Sequence, residues 1–175
     1  RTFKVASADI VDHQMHNFLA RTRKKVIIST GMSSVEEIDE CIKIYKKYKN
    51  KNIVLMHCVS NYPCSNAAIN IRCFNLLKKY NYILGYSDHS LGNLSSILSV
   101  SLGAAVIEKH FTTNKNLSGP DQKTSILPKE FLKMVNQVKK TITILGKEKK
   151  FCQKEELKMK AISRKSLTLN KNFTK

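Results

Sequence analysis

The roughly eighteen-residue apolar run that a membrane-crossing helix requires occurs nowhere in this chain, so no segment reads as a membrane span. A secretory leader pattern is missing as well. The first residue is Arg1 rather than Met, and Lys4-Val5-Ala6-Ser7 already has the character of strand interior, so the stretch reads as opening inside a fold. Cysteine occurs, but never as C-x-x-C. Cys41, Cys58, Cys64, Cys73 and Cys152 are odd in number and irregularly spaced, which excludes zinc-ribbon and thioredoxin-type sites and leaves reduced thiols and a cytoplasmic location as the expectation. Arginine is scarce beside lysine, and no DNA- or RNA-binding motif accompanies the net charge of +18. The lysines are scattered over predicted helices and their ends (Lys43, Lys46, Lys47, Lys78, Lys79, Lys139, Lys140), which reads as a solvated surface rather than a nucleic-acid footprint. Internal repeats and low-complexity segments are also absent.

What remains is globular material: 175 residues, 42% of them hydrophobic, are enough for one domain with a real core. Five short apolar runs predict strands: Phe3 to Ser7, Lys25 to Gly31, Ile53 to Cys58, Tyr82 to Leu84 running on toward His89, and Ala104 to Ile107. Helices are predicted between them. A weakly patterned one runs from Gln14 to Arg21. The next is opened by Ser33-Ser34-Val35-Glu36, read as a capping box in which the Ser33 hydroxyl accepts from the Glu36 amide. Ile38, Cys41, Ile42 and Tyr45 form its buried stripe. Others are expected near Arg72 to Tyr80, over Asn93 to Leu102, and from Pro128 to about Leu145 with Gly146 as the cap. The unbroken apolar run from Ile53 to Cys58 suits a parallel sheet covered on both faces, and the β–α alternation implies an α/β fold with right-handed crossovers. Lysine-rich Glu148 to Lys160 reads as a helical linker, and Arg164 to Leu169 as a strand without a partner in the chain.

Polar groups stand at the carboxyl end of every predicted strand: Ser7 and Asp9, Ser29, Ser60 and Tyr62, Ser87 and His89, Glu108 and His110. In a doubly wound sheet only the strands at the switch point carry chemistry, so a partial (β/α)8 TIM barrel of about the last five βα units is favoured. The chemistry is densest from Gly85 to Asp121. Gly85-Tyr86-Ser87-Asp88-His89 and Glu108-Lys109-His110-Phe111-Thr112 each follow an apolar run. One histidine thus stands at the end of each of two neighbouring parallel strands, about 4.8 Å apart, where the imidazoles can share an ion. His13, His16 and His57 have no converging partners and read as structural. Lys109 alternates away from the site.

Five segments, in order, resemble the sialic acid synthase (N-acetylneuraminate synthase) family: Lys4-Val5-Ala6-Ser7-Ala8-Asp9-Ile10, Ile28-Ser29-Thr30-Gly31-Met32, His57-Cys58-Val59-Ser60-Asn61-Tyr62-Pro63, Gly85-Tyr86-Ser87-Asp88-His89-Ser90 and Val106-Ile107-Glu108-Lys109-His110-Phe111-Thr112. The resemblance runs from about residue 3 to 145. It implies a metal-dependent (β/α)8 enzyme that condenses phosphoenolpyruvate with N-acetylmannosamine or a related acylamino sugar, giving a sialic (nonulosonic) acid and phosphate. It also implies a partial barrel over 1–146, a linker over 147–163, and the start of a small antifreeze-like domain over 164–175. His89 and His110 would be the catalytic metal ligands for a divalent ion, Mn with Mg or Co as alternatives; imidazole with oxygen ligands suits such ions. Lys4, Ser7, Ser29, Ser60 and Ser87 would hold phosphoenolpyruvate, and Asp9, Tyr62 and Asp121 would face the sugar. Glu108 and Asp88 are expected to orient the histidines. A homodimer is expected of the full-length protein.

Two departures mark this chain. The family's Ser-Gly-Glu is Ser7-Ala8-Asp9 here, and its Gly-Pro-Asp-His is Gly119-Pro120-Asp121-Gln122. The resemblance further implies three preceding βα units that would bring a carboxylate and a second lysine to the site. Another metal-dependent aldol synthase using phosphoenolpyruvate and a non-catalytic lysine-rich binding module are the competing functional classes. Steep salt dependence of binding to a polyanion would be the signature of the second.

Overall fold

A computed structural model describes residues 1–167. Residues 1–145 form one compact unit and the residues from Gly146 onward another. In the first, five strands alternate with helices. They are β1 (Thr2–Val5), β2 (Lys25–Ser29), β3 (Ile53–Cys58), β4 (Ile83–Asp88) and β5 (Ala104–Lys109). All neighbours pair in parallel, and the spatial order β1-β2-β3-β4-β5 is the order in the chain. Sequential parallel strands joined through helices are the wall of a TIM-type barrel, and the fold class is that of a partial barrel.

Helix α1 spans His13–Thr22, α2 Val35–Lys47, α3 Cys73–Leu77, α4 Leu94–Ser101 and α5 Pro128–Leu145. The α2 cap lies one residue later than predicted. Ser34 is the N-cap, its hydroxyl accepts from the Glu37 amide, and the Glu37 carboxylate returns to the Ser34 amide. Ser33 instead donates to the Gly31 carbonyl. The doubled Ser-Ser and Glu-Glu make both registers possible in sequence; the structure uses the second. The helix expected at Arg72 to Tyr80 is the short α3 followed by a 3₁₀ turn, Lys78–Tyr80.

One face of the sheet is roofed by helices. Val5, Val26, Ile28, Ile53 and Leu55 project there against Ile38, Ile42, Tyr45, Phe74 and Leu77. Burying a side chain such as Phe74, fully enclosed here, stabilises the fold by about 1.5–3 kcal/mol. His16 and His57 belong to this core, as their lack of partners predicted. His16 Nδ1 lies 2.8 Å from the Tyr45 hydroxyl. His57 Nε2 donates to the Ile69 carbonyl at 2.7 Å, its ring stacked on Tyr86 and edge-on to Phe74. Burial lowers the pKa of both imidazoles, and the backbone bond of His57 only partly opposes it.

The other face carries the alternate residues, including Lys4, Ser29, Ser87 and Glu108. Parallel pairing aligns Cys58 with Ser87 and Ser87 with Glu108, so the strand ends form a level rim. The pairing of β4 with β5 slips at Leu84/Gly85. A Cβ at Gly85 would sit 2.9 Å from Met56 Cγ and 3.2 Å from the Val106 carbonyl oxygen, so that crossing requires glycine.

In the second unit the predicted helical linker is irregular up to Gln153 and helical after it. A 3₁₀ turn at Lys154–Glu156 leads into α6 (Leu157–Ser163). Among the described residues no strand follows β5. The strand expected at Arg164 to Leu169, and the antifreeze-like start to residue 175, reach into 168–175, which lie outside the described residues. No described helix is long and apolar enough to cross a membrane.

Candidate active site

The rim at the carboxyl ends of β2 to β5 gathers most of the predicted site residues. His89 immediately follows β4, and two contacts fix its ring. Nδ1 lies 2.7 Å from the Val59 carbonyl oxygen. A carbonyl can only accept, so Nδ1 carries the proton and Nε2 presents its lone pair. The Tyr62 hydroxyl is 3.1 Å from Nε2 and donates to it, with the two rings tilted against each other at 4.1 Å between centroids. Ser87 Oγ is 3.2 Å from the same nitrogen, but gives its proton to Glu108 Oε1 at 2.7 Å. Burial, seconded by nearby His110, lowers the His89 pKa against the raising effect of the Val59 bond. The imidazole is therefore held neutral, the form that ligates metals.

His110 follows β5, its ring centroid 5.6 Å from that of His89 and 5.1 Å from that of Tyr62. Its Nδ1 is 3.6 Å from Asp121 Oδ2. Asp121 lies on the Gly119-Pro120-Asp121-Gln122 segment, and the departure at Gln122 has a structural role: its side-chain oxygen accepts from the Thr112 hydroxyl. The Ile126 amide donates to the His110 carbonyl, which ties this loop to the end of β5. Two imidazoles with solvent-facing carboxylates nearby make a nitrogen–oxygen donor set. No cluster of three or more His, Cys, Asp or Glu occurs among the described residues. The set fits a borderline or hard divalent ion that completes its coordination with oxygen from water or substrate, and it does not fit an all-protein zinc cage.

Toward β1 the rim becomes cationic and hydroxylic. Lys4 Nζ donates to Ser29 Oγ at 2.8 Å and lies 3.4 Å from Glu108 Oε1. Glu108 thus links Lys4 to Ser87 across the open face. Ser7 and Ser60 meet further along, around Gly31. The Gly31 amide donates to Ser7 Oγ at 3.1 Å, and Ser7 Oγ is 3.0 Å from Cys58 Sγ. Cys58 was missed in the sequence, because a cysteine closing an apolar strand reads as core; only its even spacing from Ser60 hinted at the shared face. Asp9 stands apart. It sits on the 3₁₀ turn Ser7–Asp9 after β1, exposed, and joins none of these contacts.

One expectation takes a different geometry. Asp88, expected to orient a histidine, touches neither imidazole: strand alternation turns it to the helix-covered face, where it pairs with Lys109 at 2.9 Å. Its Oδ1 accepts from the Ser90 amide and hydroxyl, and its Oδ2 from the Ser95 and Ser96 hydroxyls. Burial alone would raise its pKa; the Ser96 hydroxyl and the Lys109 charge outweigh that and leave it below the usual carboxylate value. Lys109 faces away from the rim, as predicted.

The NeuB family model matches residues 1–150. An N,N'-diacetyllegionaminic acid synthase of Campylobacter jejuni is 38% identical over 178 residues, covering 100% of this chain and 53% of that protein. The crystal structure of an N-acetylneuraminic acid (sialic acid) synthetase from Leptospira borgpetersenii superposes with a TM-score of 0.86 at 36% identity, over 92% of this chain and 56% of that one. A truncated 3-deoxy-D-arabino-heptulosonate 7-phosphate synthase from Thermotoga maritima, at 18% identity and a TM-score of 0.71, shares the fold. The chain spans about half the length of the curated relatives it matches. With a family match over the whole of the first unit and a relative 38% identical over 100% of this chain, the chain belongs to the NeuB family.

Proposed function

We propose that the full-length protein condenses phosphoenolpyruvate with an acylamino sugar such as N-acetylmannosamine, forming a nonulosonic acid and releasing phosphate. The observation that carries this reading is the division of the rim. Two facing imidazoles with Tyr62 and Asp121 lie at the β4–β5 end, and an ammonium with a row of hydroxyls lies at the β1–β3 end. Relatives named for legionaminic and sialic acid synthesis support the substrate class.

On this reading Lys4, with Ser29, neutralises and orients an anionic group of phosphoenolpyruvate, assisted by hydroxyl donors from Ser7, Ser60 and Ser87. Tyr62 and Asp121, flanking His110, accept and donate to the sugar's hydroxyl and amide groups. His89 and His110 would hold a divalent cation, Mn with Mg or Co as alternatives, whose contribution is Lewis-acid polarisation of the sugar aldehyde. Because Val59 fixes the His89 tautomer, Nε2 presents its lone pair toward the rim, and a cation there would take the place of the Tyr62 hydroxyl that donates to it.

The test is phosphate release by the full-length protein with phosphoenolpyruvate and a panel of acylamino sugars and sugar phosphates, before and after chelation. Release that requires an acylamino sugar and a divalent ion is expected. Release only with an unrelated aldose phosphate would overturn the acceptor assignment.

A further inference from the structure

Each histidine of the rim is preceded by a member of one buried ion pair. Asp88 comes directly before His89 and Lys109 directly before His110, and the two are register partners in the β4–β5 ladder. Alternation sends the histidines to the open face and the ion pair to the roofed face. Lys109 Nζ and Asp88 Oδ2 are 2.9 Å apart, with side chains 4% and 0% exposed. Resting on the reading that His89 and His110 hold a divalent ion, we infer that Asp88–Lys109 is a positioning device that sets the spacing of the two imidazoles from behind the sheet.

The contacts show how the constraint reaches the rim. The peptide between His89 and Ser90 is held at both ends. Its N–H donates to Asp88 Oδ1 at 2.9 Å, and its carbonyl, that of His89, accepts from the Cys64 amide at 2.8 Å. Lys109 then donates to the Ser90 carbonyl at 2.8 Å. The lysine thus grips the residue after one histidine while adjoining the other in its own chain. Ser95 and Ser96, in the first turn of α4, complete the Asp88 shell at 2.8 and 2.6 Å, so helix, loop and both strand ends meet at one carboxylate. Neither member touches an imidazole, so their influence runs entirely through the backbone. That distinguishes them from Val59 and Tyr62, which act on the ring of His89 directly.

A buried, fully hydrogen-bonded pair of this kind is also a structural element, so the test must separate positioning from folding. Co(II) and Mn(II) affinities, and the visible spectrum of bound Co(II), are measured on the full-length protein carrying Lys109→Met, Asp88→Asn or Ser96→Ala. His89→Ala and Tyr45→Phe serve as references. Lys109→Met and Asp88→Asn are expected to weaken metal binding at least about tenfold, as outer supports of a metal site do, and to shift the Co(II) bands. Ser96→Ala, which keeps the ion pair and removes one donor, should give a smaller change in the same direction and remains decisive if the other two do not fold. Tyr45→Phe removes a buried bond far from the rim and should lower Tm without moving affinity or spectrum. Affinity and spectrum unchanged in folded Lys109→Met or Ser96→Ala, while His89→Ala loses metal, would overturn the positioning role. Metal retained by His89→Ala would instead overturn the ligand assignment on which it rests.

Discussion

Two lysine–carboxylate pairs stand back to back across the ends of the sheet. On the roofed side, Lys109–Asp88 is buried, close and surrounded by donors. On the open side, Lys4–Glu108 is 3.4 Å apart with side chains 35% and 41% exposed. Both join an ammonium to a carboxylate, and Asp88 and Glu108 lie on adjacent strands one register step apart. Their surroundings differ, and with them the work they can do. A buried charge must be fully satisfied or the fold loses stability, so all its contacts are already committed. A half-exposed pair contributes little to stability, and its groups remain free to exchange partners with an arriving anion. Burial, more than charge, separates the committed pair from the one whose partners can change.

The sharpest way to break this comparison is Asp88→Ala. Leaving Lys109 charged, buried and unpaired should cost about 3–5 kcal/mol, read as a collapse of the denaturation midpoint; a loss below about 1 kcal/mol would make the two pairs equivalent. Next in size is a change confined to the open face. Ser87→Ala removes the hydroxyl between Glu108 and His89 and should lower kcat/KM for phosphoenolpyruvate by about 1.5–3 kcal/mol, the range for a hydrogen bond to a charged group. Metal affinity should stay nearly unchanged, and kinetics with each substrate varied in turn would expose the opposite pattern. Asp121→Asn should impair sugar use instead.

A third expectation concerns the roofed core in acid. His16 and His57 have folded pKa values lowered by burial, so the unfolded chain binds more protons below its own value of about 6.5. Their contribution to stability is complete above that pH and is lost as pH falls through the lowered folded values, at up to about 1.4 kcal/mol per pH unit for each imidazole. Thermal melts between pH 7.5 and 5.5 should show it, and His57→Gln should flatten the slope. The smallest expected effect is Glu108→Gln on stability, below about 1 kcal/mol; a larger loss would mean that the open-face pair is structural after all.

Much of the architecture was readable before any coordinates. Apolar runs placed all five strands, and the polar residue after each run placed the rim, because parallel strands ending level must put those residues together. The α5 helix from Pro128 to Leu145 followed from its first-turn proline. The task of Asp88 could not be read in the same way. Its partners Ser90, Ser95, Ser96 and Lys109 are spread over a loop, a helix and another strand, and serines inside an apolar helix look like dilution of its buried stripe. Cys58 was hidden for a related reason: a thiol at the end of an unbroken apolar strand reads as one more core residue. The cap of α2 was ambiguous by one residue because serine and glutamate each occur in tandem.

Gly31 marks how little slack the rim has. Its φ is ordinary, so any residue could adopt the backbone there; only space demands glycine. A Cβ would fall 2.4 Å from Ser60 Oγ and 2.8 Å from both Ser7 Oγ and Cys58 Sγ. A single methyl group grafted at this point would therefore be wedged between two hydroxyls and a thiol, and at least one of the three would have to move. The hydrogen atom in that place is what lets the ends of β1, β2 and β3 close on one another at this corner of the rim.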